Sequence, residues 1–317
     1  MPYVQSDTIS KAREVDLFSF LKEREPSELV KCYDDEYCTR SHDSLKISNG
    51  KWFWHSRGIG GASALDYLVK VRNMDFVEAV KCVVGTTVLP PSSMPQTKKK
   101  YSRLYLPPCD FECKTVKPYL LSRGLDEGVI DFFISRKMIA EDKENGYALF
   151  IGRDENGKAK HCSVRATDGT NLKKDVAGSD KRYPFRLINN GKKTLRVFES
   201  AVDLMSYLTI KKLQGESISE SNYLSLAGVY LPKENLSETK LPMAIEYYLE
   251  HNKTDNIILH LDNDFAGQRM SNAVYVLLGE HYKVAYRPPP EGKDFNEYLK
   301  KIILKEEENQ KWNMPLR

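Results

Sequence analysis

The feature that most constrains this chain is an alternation. From about residue 191 to 304, short apolar runs of strand character take turns with segments of helical periodicity. TLRVFES reads as a strand and VDLMSYLTIKKL as a helix. NYLSLAG and LPMAIEYYLEHN repeat the pair, and NIILHLDND with AGQRMSNAVYVLLGEH repeats it again. YKVAYRPP and DFNEYLKKIILKEEE close the series. Four strand–helix units in a row demand a mostly parallel sheet with helices on both faces. The expected class is therefore α/β and Rossmann-like in this region.

The rest of the chain reads differently. Residues 1–88 open with a helical pattern, DLFSFLKER, pass through a Cys/His/Trp-rich centre, and end in DYLVKVRNMDFVEAVKCVVG. There Leu68, Val69, Val71, Phe76, Ala79 and Val80 recur at helical spacing. A small β-ribbon flanked by helices is expected. Residues 89–104 have the composition of a linker, with a basic run at Lys98, Lys99 and Lys100. Residues 105–190 predict an α+β subdomain. Two helices meet at Arg123-Gly124, and a hairpin turns at Asp154-Glu155-Asn156-Gly157. Residues 305–317 are left as a tail.

Charged residues make up 29% of the chain, yet the net charge is only +4, which fits a nucleic-acid partner without requiring one. No run approaches the length of a membrane span, and the opening residues lack a signal-peptide core. Six scattered cysteines in 317 residues do not make a disulfide framework, so a reducing cytoplasm is expected.

In open α/β sheets ligands gather at the carboxyl ends of the strands. Glu199 ends the first strand of the series. Asp262 and Asp264 end the third, and Asp294 follows the last. If the chain is extended at Asp262-Asn263-Asp264, the two aspartates face the same side. A carboxylate cluster repels itself, so a cation is expected with it. Hard cations such as Mg²⁺ take one or two carboxylates plus water and substrate phosphates. A lone D-x-D is usually a turn or a helix cap. The ordered set E-x-x-x-D, D-x-D-x-x-G and K-D-x-N-E on successive units is far more specific.

These motifs resemble a Toprim domain, the fold of DnaG-type bacterial primases, topoisomerases and related nucleases. Glu199-Ser200-Ala201-Val202-Asp203 is similar to the E-G-x-x-D motif, with Ser200 where the family has Gly. Leu261 to Gly267 resembles the D-x-D motif, Gly292 to Glu297 the primase-type third element, and Ser225-Leu226-Ala227-Gly228 the small-residue turn. The resemblance implies that Glu199 is a general acid/base or metal ligand, that Asp262 and Asp264 are ligands, and that Asp294 is a further one. The implied cofactor is Mg²⁺ or Mn²⁺. Asp203, one helical turn beyond Glu199, is either a supporting group or a helix-dipole charge.

Residues 105–190 look similar to the basic subdomain that precedes Toprim in primases. Lys158, Arg165, Lys181 and Arg182, with Lys173 and Lys174, are the candidate contacts to nucleotide and template phosphates. The N-terminal segment resembles the primase zinc ribbon in a degenerate form. Cys38 and His42 stand near the first ligand pair, but Trp54 and Arg57 stand where the second Cys pair belongs. Zinc is not expected; Cys32, Cys38, His42 and His55 are the one alternative ligand set. The tryptophans are expected to form an apolar core in place of the metal, or, if exposed, to stack on bases.

This combination resembles Toprim proteins of plasmids and integrative elements. The implied function is a DnaG-like primase or nucleotidyltransferase on single-stranded DNA, using nucleoside triphosphates beside replication or conjugation proteins of a mobile element. A Toprim nuclease and a non-catalytic DNA-binding accessory protein are the alternatives.

Overall fold

A computed structural model describes residues 6–33, 36–84, 103–170, 172–230, 232 and 235–312. The expected linker, with Lys98 to Lys100, lies outside the described residues except for Arg103 and Leu104, as do residues 313–317 of the expected tail. The chain forms two compact units, Met1–Lys100 and Tyr101–Arg317. Among the described residues no helix is long and apolar enough to cross a membrane.

The first unit begins with α1 (Ser6–Glu14) and α2 (Leu17–Arg24). Asp16 caps α2 by accepting a hydrogen bond from Ser19 N at 2.9 Å. Five strands follow as an antiparallel meander: β1 (Leu29–Tyr33), β2 (Glu36–Thr39), β3 (Leu45–Ser48), β4 (Lys51–Trp54) and β5 (Ile59–Gly61). The C-terminal stretch, expected as one helical pattern, is two helices, α3 (Ala64–Lys70) and α4 (Phe76–Val83). Asn73 breaks it with a φ of 51°, and Asp75 then caps α4 through Val77 N and Glu78 N. The core collects Phe20, Leu21, Leu45, Ile47, Trp52, Tyr67 and Leu68.

The second unit opens with β6 (Cys109–Asp110), α5 (Val116–Ser122) and α6 (Glu127–Ser135), then β7 (Ile139–Asp142), β8 (Ala148–Arg153), β9 (Ala159–Arg165) and β10 (Lys173–Asp175). The strands form an antiparallel sheet in the order β10-β9-β8-β7-β6. The hairpin expected at Asn156-Gly157 is present: Gly157 adopts φ 75° between β8 and β9, a conformation that favours glycine.

The parallel sheet comes next. It contains β11 (Arg186–Leu187), β12 (Thr194–Phe198), α7 (Ala201–Leu213), β13 (Asn222–Ser225), α8 (Met243–His251), β14 (Asn256–His260), α9 (Phe265–Leu278), β15 (Lys283–Tyr286) and α10 (Phe295–Trp312). Strand order is β11-β13-β12-β14-β15, parallel throughout except for the edge strand β11. Residues alternating along the strands face two cores. Leu195, Val197, Leu224, Ile257 and Leu259 pack on α8 and α9 through Ile245, Tyr248, Met270 and Val274. Phe198 and Tyr223 face the other way, toward Met205 and Leu208 of α7 and Phe295 and Leu299 of α10. That second core also takes in Leu120, Phe133, Phe150 and Phe185, so residues on both sides of position 190 share one apolar interior. Phe185 seals it, with its ring 4.7 Å from Phe133 and 5.8 Å from Phe150.

Candidate metal centre at the carboxyl ends of the parallel sheet

Three loops at the carboxyl ends of β12, β14 and β15 carry the carboxylates. The first leaves β12 at Glu199, whose carbonyl accepts a hydrogen bond from Gly228 N at 3.0 Å. Gly228 belongs to the turn after β13, where Ala227 and Gly228 both have positive φ. Ser200 then caps α7. It is extended (φ −130°, ψ 165°), accepts from Asp203 N at 3.2 Å and donates its hydroxyl to the Asp203 carboxylate. A serine therefore serves here without strain: the position needs no glycine conformation, and the hydroxyl caps the helix.

The second loop leaves β14 through Leu261. Asp264 caps α9 by accepting from Gly267 N at 3.0 Å. Gly267 faces the backbone of Asp262; a Cβ there would lie 2.2 Å from the Asp262 carbonyl oxygen, which also accepts from the Tyr286 hydroxyl at 3.0 Å. The glycine of D-x-D-x-x-G is thus required by close packing of helix on loop. The third loop, after β15, is tied to the second by Asn263 N donating to the Lys293 carbonyl at 2.7 Å. Asp294 opens α10 by accepting from Glu297 N at 2.8 Å.

Asp262 and Asp264 do face one side. Both bracket the Lys293 ammonium, at 3.6 and 3.5 Å. Asp203 and Asp262 are buried, while Glu199 is half-buried. Burial, together with the charges of Asp203 and Asp264, pushes the Glu199 carboxyl up to about 7. Burial and the charges of Glu199 and Asp203 push Asp262 up to about 9, against the pull of Lys293. Burial and the charge of Asp294 push Asp203 up to about 6, against Ser200 and Arg165. These shifts mean that Glu199, Asp203, Asp262, Asp264 and Asp294 feel one another's charge. The cations opposing them are Lys293, Lys173 and Arg165.

Among the described residues, no three His, Cys, Asp or Glu side chains stand close enough, as arranged, to ligate one ion. The donor set nonetheless fits a hard cation. Asp262 and Asp264 already hold a positive group between them, and Mg²⁺ needs only one or two carboxylates beside water and phosphate oxygens.

The basic candidates divide. Arg165, at the end of β9, pairs in register with Lys173 of β10 and is near enough to draw Asp203 down. Lys181 donates to the Ala227 carbonyl at 3.0 Å and pairs with Asp175 at 2.6 Å, so its ammonium buttresses the turn that holds Glu199. Lys158 lies in the β8–β9 turn, its backbone bound to Asp154. Arg182 pairs with Asp180 at 2.7 Å and lies over the rings of Tyr183 and Tyr247. The structure thus brings Arg165 and Lys181 to the carboxylate loops and engages Lys158 and Arg182 with other partners. The sequence marks Lys293 only as the residue between Gly292 and Asp294 of the third motif.

In the first unit, Trp52 is buried and donates its indole N–H to the Ser63 carbonyl at 3.0 Å. His42 stacks on Trp54 at 4.1 Å between centroids, and Arg57 lies 5.5 Å above the same ring. Trp54, standing with Arg57 where the ribbon family has its second Cys pair, thus carries a stack of which His42 and Arg57 are the other members.

Comparison with known proteins agrees with this geometry. Residues 196–299 match a family described as Toprim-like, and residues 118–192 match a family of unknown function, DUF3991. A curated relative, an uncharacterized protein of Bacillus anthracis, is 24% identical over 347 residues, covering 96% of this chain and 92% of its own. Among solved structures, the primase fragment of the bacteriophage T7 primase-helicase is 18% identical with a TM-score of 0.44, covering 84% of this chain and 93% of that one. The Aquifex aeolicus primase, with zinc-binding and RNA polymerase domains, is 16% identical with a TM-score of 0.40, covering 96% and 85%. The chain carries a Toprim-like domain, as its motifs implied, and the two solved structures named above are primases.

Proposed function

We propose that residues 101–317 act as a metal-dependent nucleotidyltransferase of primase type, joining nucleotides along a single-stranded DNA template. One observation carries this reading: Glu199, Asp262 and Asp264 lie at the strand ends of a Toprim-like domain, where burial and neighbouring carboxylate charges push the Glu199 and Asp262 carboxyls upward. A structural cluster would relieve that repulsion; a site that receives a divalent ion and a polyphosphate keeps it.

When bound between Asp262 and Asp264, with Asp294 in the adjoining loop, Mg²⁺ or Mn²⁺ would neutralise triphosphate charge and make the attacking hydroxyl more acidic. Glu199, with its carboxyl near 7, is poised to take a proton from a 3′-hydroxyl at neutral pH. Asp203 anchors the start of α7 behind it through Ser200. Lys293, on an exposed side chain, pairs with both aspartates, which places an ammonium in the site that could meet a phosphate oxygen. Arg165 and Lys173 supply positive charge from the antiparallel sheet.

The test is to incubate the protein with single-stranded DNA, labelled nucleoside triphosphates and Mn²⁺, beside Glu199→Gln and Asp262→Asn. New oligonucleotides are expected, falling by about 10²-fold or more in each variant. Shortened DNA in their place would assign the same carboxylates to a nuclease. Binding without products would make the chain an accessory protein. Full activity in both variants would remove the site.

A further inference from the structure

The third carboxylate loop has an anchoring problem. It runs from Arg287 through Pro288, Pro289 and Pro290 to Lys293 and Asp294. Proline has no backbone N–H, so this stretch cannot extend the ladder between β14 and β15. Arg287 follows β15, and its N–H still donates to the Leu259 carbonyl at 2.8 Å. The Arg287 carbonyl is taken by a side chain instead, Nδ1 of His260, at 2.7 Å. His260 is the last residue of β14 and is buried. Its Nε2 lies 3.0 Å from Nη1 of Arg196 on β12. A guanidinium can only donate, so Nε2 accepts and Nδ1 carries the proton. The ring is thereby fixed as the neutral Nδ1–H tautomer, which donates to the Arg287 carbonyl. Arg196 is itself held, donating Nε to Ser221 Oγ at 3.1 Å. The imidazole stacks on Phe198, the residue before Glu199, with centroids 5.0 Å apart and planes 16° apart. It meets Phe295, the residue after Asp294, edge to face at 5.2 Å. One buried side chain thus touches the chain neighbours of Glu199 and Asp294 and stands two residues before Asp262.

We propose that His260 is a positioning residue of the carboxylate site: through its bond to the Arg287 carbonyl it sets where the proline-rich loop delivers Lys293 and Asp294 against Asp262 and Asp264. This rests on the metal-binding reading of those carboxylates. His260 acts through the loop and touches neither ion nor substrate. A ring that only packed here would need no polar atoms, and a phenylalanine would serve. Both nitrogens are instead engaged, one toward β12 and one toward the end of β15, which is what a buried polar group needs and a filler does not. The far end of the loop is tied by the Lys293 carbonyl, which accepts from Asn263 N at 2.7 Å. The loop therefore hangs between two hydrogen bonds to the segment 260–263, and His260 supplies the one nearer β15. Without it, the Arg287 carbonyl loses this partner, and the position of Lys293 and Asp294 relaxes.

The test compares three variants of the full chain. His260→Asn keeps an amide N–H about where Nδ1 sits, His260→Gln places its amide about where Nε2 sits, and His260→Phe keeps the ring alone. Two quantities are read: Mn²⁺ affinity by titration, and amide hydrogen exchange of residues 291–297 without metal. His260→Gln and His260→Phe should weaken Mn²⁺ binding roughly three- to tenfold and speed exchange in the loop about five- to tenfold, whereas His260→Asn stays within about twofold of the wild type in both. Asn and Gln each lose the ring stack, so a general loss of packing would affect them alike; only the bond to Arg287 separates them. That pair decides the matter if His260→Phe does not fold. Wild-type values in His260→Gln, or equal losses in His260→Asn and His260→Gln, would overturn the proposal. If Asp262→Asn abolishes Mn²⁺ binding while the His260 variants retain it in full, the metal reading stands and the role of His260 alone falls. If the wild type binds no Mn²⁺, both fall.

Discussion

The two units face a similar problem in opposite ways. Each must hold loops together around polar or aromatic side chains. In the first, His42, Trp54 and Arg57 do so with stacked rings and a guanidinium, a neutral-plus-cation arrangement stable in itself. In the second, Glu199, Asp203 and Asp262 are packed where their charges repel and their desolvation is costly. Stacked aromatics are complete when the chain folds. Crowded carboxylates keep their mutual repulsion, and on that repulsion the proposed cation site rests.

Several substitutions would break or sharpen this contrast. The largest effect is expected for Trp52→Ala, which removes a fully enclosed indole and its hydrogen bond to Ser63. The first unit should lose about 3–5 kcal/mol, read by chemical denaturation. EDTA should leave that unit's unfolding unchanged in the wild type; a large EDTA effect there would return the ribbon to the class of metal-held folds.

Gly267→Ala comes next. The added methyl would press on the Asp262 carbonyl, so about 1–3 kcal/mol of stability should be lost, together with Mn²⁺ affinity measured by titration. Unchanged metal affinity would show that the helix–loop contact does not set the position of Asp262.

The pH dependence follows from the raised carboxyls. Their folded-state values lie above those of an unfolded chain, so the stability they contribute is whole below about pH 4 and is lost as pH climbs through about 6 to 9. Melting temperature without metal should therefore fall over that window. Mg²⁺ should raise it more at about pH 8 than at about pH 5, and Asp262→Asn should raise it at about pH 8 with no metal present. A flat profile in all three experiments would mean the carboxylates do not crowd one another.

The smallest effect is expected for His42→Ala, which removes one ring from the stack on Trp54. A loss of about 0.5–1.5 kcal/mol, within the first unit alone, is the outcome that fits a π-stack.

Much of the architecture was legible in the sequence because it rests on local rules. The strand–helix alternation after residue 191 required a parallel sheet; Glu199 and Asp262 fell just beyond strand ends because strand periodicity stops there, and Asp294 fell just before the last helix. The hairpin at Asn156-Gly157 was equally local. The break between α3 and α4 was not legible. Leu68 to Val80 keep a helical rhythm across it, and only Asn73 in a left-handed conformation and the cap at Asp75 interrupt the backbone.

What the sequence determined by itself was which groups arrive at the strand ends, since that depends on residues a few positions apart. What only the tertiary structure decided was which groups then meet. Lys293 sits between Asp262 and Asp264, Arg165 opposes Asp203, and Phe185 joins helices and strands from both sides of position 190 into one core. Lys181, expected to contact phosphate, holds the Ala227 turn. Charge and packing act through space, across separations of tens to more than a hundred residues, where periodicity carries no signal. The carboxylates could be named from the chain, but their crowding, which is what asks for a cation, is a property of the fold.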